Sequence, residues 1–322
     1  MSRPVRRTLL AAAALLAAAP LARAQQAPWP SRPLRVIVPY PAGGNADAIG
    51  RFVADRLSAA LGQQAIVENR AGAGATIGAQ AAARAPADGY TLLLAPTAVF
   101  AITHHLRRVP YDPEGDFVPI ASLSSSYGIV AARKDLPANT MPELVALAKK
   151  EPGKLTFGSA GTATATHLSG EIVHHKAGIK VLHVPYKGSA ESLADLMGGR
   201  IDLIYDPVAL AQVKAGTVKA LAATSAVRHP ELPDVPTLRE QGLDVPGGSW
   251  FGLFAPKGTP PEVVARIGAE LERALAQPTA RETLLKFSQY PDYLGTAAFA
   301  ARIREDSATY RALIDAAGIK VE

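Results

Sequence analysis

Three times along this 322-residue chain, a short apolar run breaks into a loop of small residues that opens a helical pattern. Leu34 to Pro39 leads into Tyr40-Pro41-Ala42-Gly43-Gly44-Asn45-Ala46-Asp47. Leu155 to Phe157 leads into Gly158 to Thr166, and Val181 to Val184 into Pro185-Tyr186-Lys187-Gly188-Ser189. Strand, loop and helix in alternation predict a parallel α/β sheet. Ligands of open α/β sheets bind outside the carboxyl ends of the strands, where these loops lie. Helix N-termini there offer unpaired N–H groups and a partial positive charge, which suits a carboxylate or another anion. Gly and Ala let a ligand approach the backbone, while Ser159, Thr162 and Thr164 add hydroxyl donors. None of the three loops contains Arg, and Lys187 is their only formal cation.

The elements between these loops read as two α/β lobes. Asn45 is placed to cap a helix in which Ile49, Phe52, Val53, Leu57 and Leu61 recur at helical spacing before Gly62. Ala65 to Glu68 is a strand, the Gly-rich Asn69 to Gly78 precedes an Ala-rich helix, and Asp88-Gly89 turns into the strand Tyr90 to Ala95. The pattern restarts at the helix Met141 to Lys150, with Pro142 in its first turn. A helix through His167 to about Lys176, a helix ending at Met197, and strands at Ile201 to Tyr205 and Leu221 to Thr224 follow. Thr259-Pro260-Pro261-Glu262 reads as a capping box that sets Val264, Ile267, Leu271 and Leu275 on one face. No linker separates the lobes, so the chain is expected to cross between them more than once.

The N-terminus predicts export. Arg3, Arg6 and Arg7 precede a mostly Ala and Leu run from Thr8 to Leu21, and Ala22-Arg23-Ala24 supplies a cleavage site before Gln25. Arg6-Arg7 also resembles a loose twin-arginine signal. Removing the four Arg of this segment leaves 30 basic against 28 acidic residues, a net of +2, so nucleic acid has no electrostatic claim on the mature chain. Aromatics at 6% give no stacking platform either. With no cysteine there is no disulfide, thiol nucleophile, Fe–S cluster, Cys-zinc site or lipidated N-terminal cysteine. A soluble protein of the bacterial periplasm is expected.

Motifs for chemistry are weak. Gly72-Ala73-Gly74-Ala75-Thr76-Ile77-Gly78 imitates a dinucleotide fingerprint, but its third Gly comes one residue late. A tight strand-to-helix turn explains it better, and no cofactor is expected. His167, Glu171 and His174 share a helix face and could form a metal set, yet one helix rarely supplies three ligands. A half-buried polar face is the simpler reading, and no metal is expected. Ser159, His167 and Asp206 could be recruited as a hydrolase triad, but Gly158-Ser159-Ala160-Gly161 is not a nucleophile elbow.

Several segments in one order then resemble a known family. They are Val38-Pro39-Tyr40-Pro41-Ala42-Gly43-Gly44 with Asp47, Val67 to Gly74 with Ile77-Gly78-Ala79, and Asp88-Gly89-Tyr90-Thr91-Leu92. Tyr111-Asp112-Pro113, Val184-Pro185-Tyr186-Lys187-Gly188, Leu232 to Thr237, Trp250-Phe251-Gly252-Leu253 and Ala255-Pro256 complete the set. Over essentially the whole mature chain the sequence resembles the Bug-type extracytoplasmic solute receptors of tripartite tricarboxylate transport systems.

The resemblance implies a two-lobed periplasmic-binding-protein fold of the Venus-flytrap, type II-like kind, with crossing strands near Ile120 to Ala132 and Trp250 to Ala255. Lobe 1 is expected at 27–123 and 250–322, lobe 2 at 124–249, after a signal peptide at 1–24. It implies a receptor, not an enzyme, that takes a small carboxylate between the lobes as a monomer. The receptor would then present that ligand to a membrane permease or a sensor kinase. The family's ligand loops map onto Tyr40, Ala42, Gly43, Gly44, Asn45 and Asp47, onto Thr97, and onto Asp206. In the second lobe they map onto Ser159, Ala160, Gly161, Thr162, Ala163 and Thr164. Asn45 stands where the family usually has Ser or Thr, Thr162-Ala163 where Asn-Gly is common, and Thr103-His104 replaces a frequent Asn-Pro. These departures surround the expected pocket, so the resemblance carries the ligand's class and not its identity. A secreted serine-type hydrolase of small esters or amides is the enzyme alternative.

Overall fold

The computed structural model describes residues 29–162, 164–225, 227–245 and 248–317. The expected signal segment with its cleavage after Ala24, and Ala163 of the expected site, lie outside them. The compact unit that carries the fold begins at Arg32. Its strands are β1 (Leu34–Val38), β2 (Ala65–Asn69), β3 (Thr91–Pro96), β4 (Phe117–Ser126), β5 (Ile129–Arg133), β6 (Thr156–Ser159), β7 (Leu182–Pro185), β8 (Leu203–Tyr205), β9 (Val218–Ala223), β10 (Trp250–Pro256) and β11 (Gln289–Gly295). Its helices are α1 (Asn45–Leu61), α2 (Thr76–Ala83), α3 (Thr103–Leu106), α4 (Met141–Lys150), α5 (Ala165–Ala177), α6 (Ser189–Met197), α7 (Leu210–Lys214), α8 (Pro261–Leu275), α9 (Pro278–Leu285) and α10 (Thr296–Ala317).

Two sheets result, ordered β11-β4-β10-β3-β1-β2 and β7-β6-β8-β5-β9. The strand–loop–helix units give the parallel pairs expected of them: β1 with β2 and β3, and β6 with β7 and β8. The sheets are mixed rather than wholly parallel, however. β10 runs antiparallel between β3 and β4, β11 antiparallel to β4, and β5 antiparallel to β8 and β9. The cause is the crossing. The chain leaves the first sheet at Ser126, enters the second at Ile129, and returns from Ala223 to Trp250 through an irregular segment. A strand that re-enters a sheet from the far lobe comes in against its neighbours' direction.

Both sheets are covered on two faces, as parallel strands require. In the first, Ile37, Leu93, Phe100, Trp250, Phe254 and Phe299 form one core, with Phe100 stacked on Phe254 at 3.7 Å. In the second, Phe157, Leu203, Tyr205 and Leu221 pack on one side and Ile204, Leu196, Ile129 and Ala209 on the other. A smaller apolar cluster joins the two halves. Ala98, Ala101 and Ile102, in a π-helical turn after β3, meet Leu168 and Ile172 of α5 and Ile314 of α10.

Helix α1 buries its predicted stripe and ends at Gly62 in the left-handed region, φ 68°. Two caps differ from expectation. Gly44, not Asn45, is the N-cap of α1, in extended backbone and with no side-chain bond. Thr259 does not cap α8: Pro260 does, and the Thr259 hydroxyl donates to Pro256 O at 2.8 Å. Helix α4 is capped by Thr140, with Glu143 reaching back one residue beyond the cap. Thr140 accepts from Glu143 N at 3.3 Å, and Glu143 accepts from Asn139 N at 2.7 Å.

Candidate functional site

The first-lobe loop is held from within its own helix. Asp47 Oδ2 accepts from Gly43 N at 2.9 Å and from Arg51 Nε at 3.0 Å, and its Oδ1 accepts from Asn69 Nδ2 at 3.0 Å. Asn69 also donates to Tyr40 O at 3.1 Å. Burial pushes the Asp47 carboxyl up, but the Gly43, Arg51 and Asn69 hydrogen bonds outweigh it and hold the group below its ordinary range. Asp47 is thus committed to shaping the loop, and Ala42, Gly43 and Gly44 remain exposed above it. A Cβ on Gly44 would meet only Pro41 O, at 3.9 Å. Asn45 donates to Phe287 O at 3.3 Å. Buried Thr97 ties the end of β3 to the returning chain, accepting from Trp250 N at 2.9 Å and from Ser249 Oγ at 3.3 Å.

In the second lobe most hydroxyls expected to face a ligand hold the loop together. Ser159 is buried, its Oγ donating to Gly161 O at 3.1 Å and lying 2.7 Å from His183 Nε2. Thr164 is the N-cap of α5, accepting from His167 N and donating to Gly161 O at 2.6 Å. Ala160 N donates to Thr166 Oγ1 at 2.9 Å and Gly161 N to Ser159 Oγ at 3.2 Å. Thr162 is exposed. What the loop leaves open is backbone: among the described residues Ala165 N and Thr166 N, at the start of α5, make no hydrogen bond, as the first donors of a helix do not. Asp206 is buried and caps the turn Pro207–Ala209, its Oδ1 accepting from Val208 N at 2.9 Å and its Oδ2 from Ser189 Oγ. Burial raises its pKa, with the Ser189 and Val208 bonds pulling the other way.

Where the chain crosses between sheets there is a cavity with about 570 Å³ of empty space, its open mouth included. Ala165, Thr166 and Ser169 of α5 line one side, and Ser126 and Gly128 of the outward crossing another. Thr224 and Ser249 of the return, Tyr205 and Pro207, and Tyr310 of α10 close it. No Asp, Glu, Lys, Arg or His is among its lining residues. The two crossings are bonded to each other: Ser126 N to Ser249 O at 2.7 Å, Ser249 N to Ser126 Oγ at 3.0 Å, and Thr224 N to Gly128 O at 2.9 Å. A Cβ on Gly128 would lie 1.9 Å from Thr224 Oγ1, so the crossing needs glycine there.

The expected site residues border this cavity rather than line it. Thr164 adjoins Ala165, Asp206 lies between Tyr205 and Pro207, and Thr97 bonds Ser249. The 40–47 loop reaches the other lobe through a turn, since Asn45 bonds Phe287 and Ser288 Oγ contacts Pro207 O at 3.5 Å. Ser126, Gly128, Ser169, Thr224, Ser249 and Tyr310 were not expected. Their available signals were the Ser124-Ser125-Ser126 run and Gly248-Ser249 ahead of Trp250.

The residues considered for a triad or a metal set are placed otherwise. Ser159 pairs with His183, not His167, and Asp206 bonds Ser189. His167 stacks on His183 at 4.0 Å and sits 3.7 Å from Glu171, while His174 Nε2 lies 2.8 Å from Tyr205 Oη. No group of three potential metal ligands occurs among the described residues. Burial drives both His174 and His183 down to about 4, so both are neutral near pH 7.

The family described as "Tripartite tricarboxylate transporter family receptor" (TctC) matches residues 49–319. The chain belongs to this receptor family. The receptor is 40% identical over 285 residues to the UPF0065 protein in the tcbD-tcbE intergenic region of Pseudomonas sp. (strain P51), covering 87% of this chain and 84% of that protein. Rpa4515 of R. palustris, solved with adipate, superposes with a TM-score of 0.83 at 32% identity, covering 91% of this chain and 99% of that one. The periplasmic binding protein BugD superposes with a TM-score of 0.79 at 34% identity, over 91% and 100% of the two chains. The receptor therefore has the two-lobed solute-binding fold and acts by binding; the hydrolase alternative is set aside.

Proposed function

We propose that this receptor binds a small carboxylate at the cavity between its sheets, with the carboxylate seated on the N-terminal turn of α5. One observation carries the reading: Ala165 and Thr166, whose N–H groups make no hydrogen bond among the described residues, line a cavity that both crossings border and no charged residue among those described lines. A helix start supplies donors and partial positive charge where side-chain cations are missing. The adipate held by Rpa4515 supports the ligand class. The exposed backbone of Ala42 to Gly44 and the residues Ala160 to Thr164 reach the ligand from the two sides in this reading. Asp47, Ser159 and Asp206 act as framework. Lobe 1, expected at 27–123 and 250–322, extends through Ser126 in this reading, because Ser124 to Ser126 still pair with β10 and β11, and lobe 2 follows to 249.

The chain is exported to the periplasm, cleaved after Ala24, and serves as a monomer that delivers its ligand to a tripartite-transporter permease. A sensor kinase is the second possible recipient. A thermal-shift screen of small carboxylates, with adipate first, tests the ligand class. Saturation at 100 times the dissociation constant adds about 2.7 kcal/mol of stability, and a flat response to every carboxylate contradicts the class. N-terminal sequencing of the exported protein should begin at Gln25.

A further inference from the structure

The wall of the cavity beyond the start of α5 is built from hydroxyls, and they are not equally occupied. Ser126 is bonded to Ser249, Thr166 receives Ala160 N–H, and Tyr205 faces His174. The side-chain oxygens of Ser169, Thr224 and Tyr310 have no hydrogen-bond partner among the described residues, although all three residues line the cavity. They come from separate elements: α5, the returning crossing and α10. Three hydroxyls from distant parts of the chain, unpartnered among the described residues, form a surface that can donate and accept.

Two carboxylates act on the phenols of this wall, one of them partly offset by Arg302. Burial first, and then the nearby Glu171, raise the Tyr205 phenol. At Tyr310 burial and then Asp306 raise it, with Arg302 partly opposing. Both phenols keep their protons near pH 7.

We propose that Ser169, Thr224 and Tyr310 select ligands whose end remote from the carboxylate is uncharged and hydrogen-bonding, an ω-hydroxy acid or an acid amide, over dicarboxylates of equal length. The inference rests on the carboxylate being seated at the start of α5. A hydroxyl or amide satisfies groups that both donate and accept. A second carboxylate would shed its water against neutral hydroxyls, with no cationic side chain among the lining residues to offset that cost. An alkyl end would leave the hydroxyls without partners, which is how polar sites reject apolar analogues.

Calorimetry on matched acids of four to six carbons tests this: the ω-hydroxy acid, the α,ω-dicarboxylate and the unsubstituted acid at each length. The hydroxy acid should bind about tenfold or more tighter than both partners of its length. Tyr310→Phe, Ser169→Ala and Thr224→Val should each bring the hydroxy acid several-fold toward the unsubstituted acid, whose own affinity stays within about twofold. Each variant is checked by its melting curve; if one unfolds, the other two carry the comparison. A dicarboxylate that binds tightest overturns the proposal but leaves the carboxylate site standing. A hydroxy-acid preference that survives all three substitutions also overturns it. If no acid of any class binds, the carboxylate reading itself falls and takes this inference with it.

Discussion

Asp206 illustrates how a residue can be found at the right place with a different task. The apolar strand ahead of it predicts a place at the mouth of the second lobe; in the structure it lies between two cavity-lining residues with both oxygens engaged, by Val208 N–H and Ser189 Oγ. Asp206→Ala should therefore cost about 1–3 kcal/mol, because it leaves a buried donor unpaired; urea unfolding measures this, and an unchanged midpoint would contradict it. Asp47 is the same lesson in the first lobe, since no spacing rule shows that a carboxylate will turn back to Gly43 instead of outward. Gly78 was legible only as part of a Gly-rich turn. In the structure a Cβ there would lie 2.8 Å from Arg70 O and 2.7 Å from Pro39 Cβ, directly beneath the 40–47 loop. Gly78→Ala should destabilise by about 1–3 kcal/mol through overpacking and shift the loop, read as a lower melting temperature with weakened binding.

Elements with a strong period were legible and elements defined by context were not. Helix α1 shows its stripe and its terminal glycine, and α4 falls on Met141–Lys150 as read. β4 could not be read from hydropathy, because Ser122, Ser124 and Ser125 are buried only by the strands on both sides of it. β11 and α10 carry no comparable pattern, and so Tyr310 was missed. The His-bearing face of α5 was visible, but its partners on β7 and β8 were not, because contacts between strands are long-range. That cluster predicts a pH response. His174 and His183 fall to about 4 in the fold, chiefly through burial, with Glu171 opposing in both. Below the ordinary histidine pKa of about 6.5 the unfolded chain takes up protons that the folded chain refuses. Their contribution is therefore complete above that pH and is lost as pH falls toward 4. Melting temperatures across this window should decline, and His183→Gln should make the decline shallower; an unchanged slope would contradict the assignment.

At the scale of the whole molecule, the doubling of the α/β pattern predicts two lobes, and the sheets deliver them, although the places of the crossings come only from family resemblance and the strand order from the structure. The lobes are joined by the two bonded crossings and by the apolar cluster of Ala98, Ala101, Ile102, Leu168, Ile172 and Ile314. Leu168 is fully buried in it, so Leu168→Ala should cost about 2–5 kcal/mol. Scattering should give a smaller radius of gyration with a bound carboxylate than without one. The central claim is that the anion is gripped by the start of α5 rather than by a cationic side chain, and Ala165→Pro tests that grip. Proline is favoured at the first helical position, and Thr164 before it is already in the extended backbone that proline demands, φ −78° and ψ 164°. The substitution removes one N–H from the cavity and puts the proline ring in its place. Calorimetry with the tightest carboxylate should show about a tenfold loss of affinity or more at an unchanged melting temperature; equal affinity in the folded variant would contradict the account.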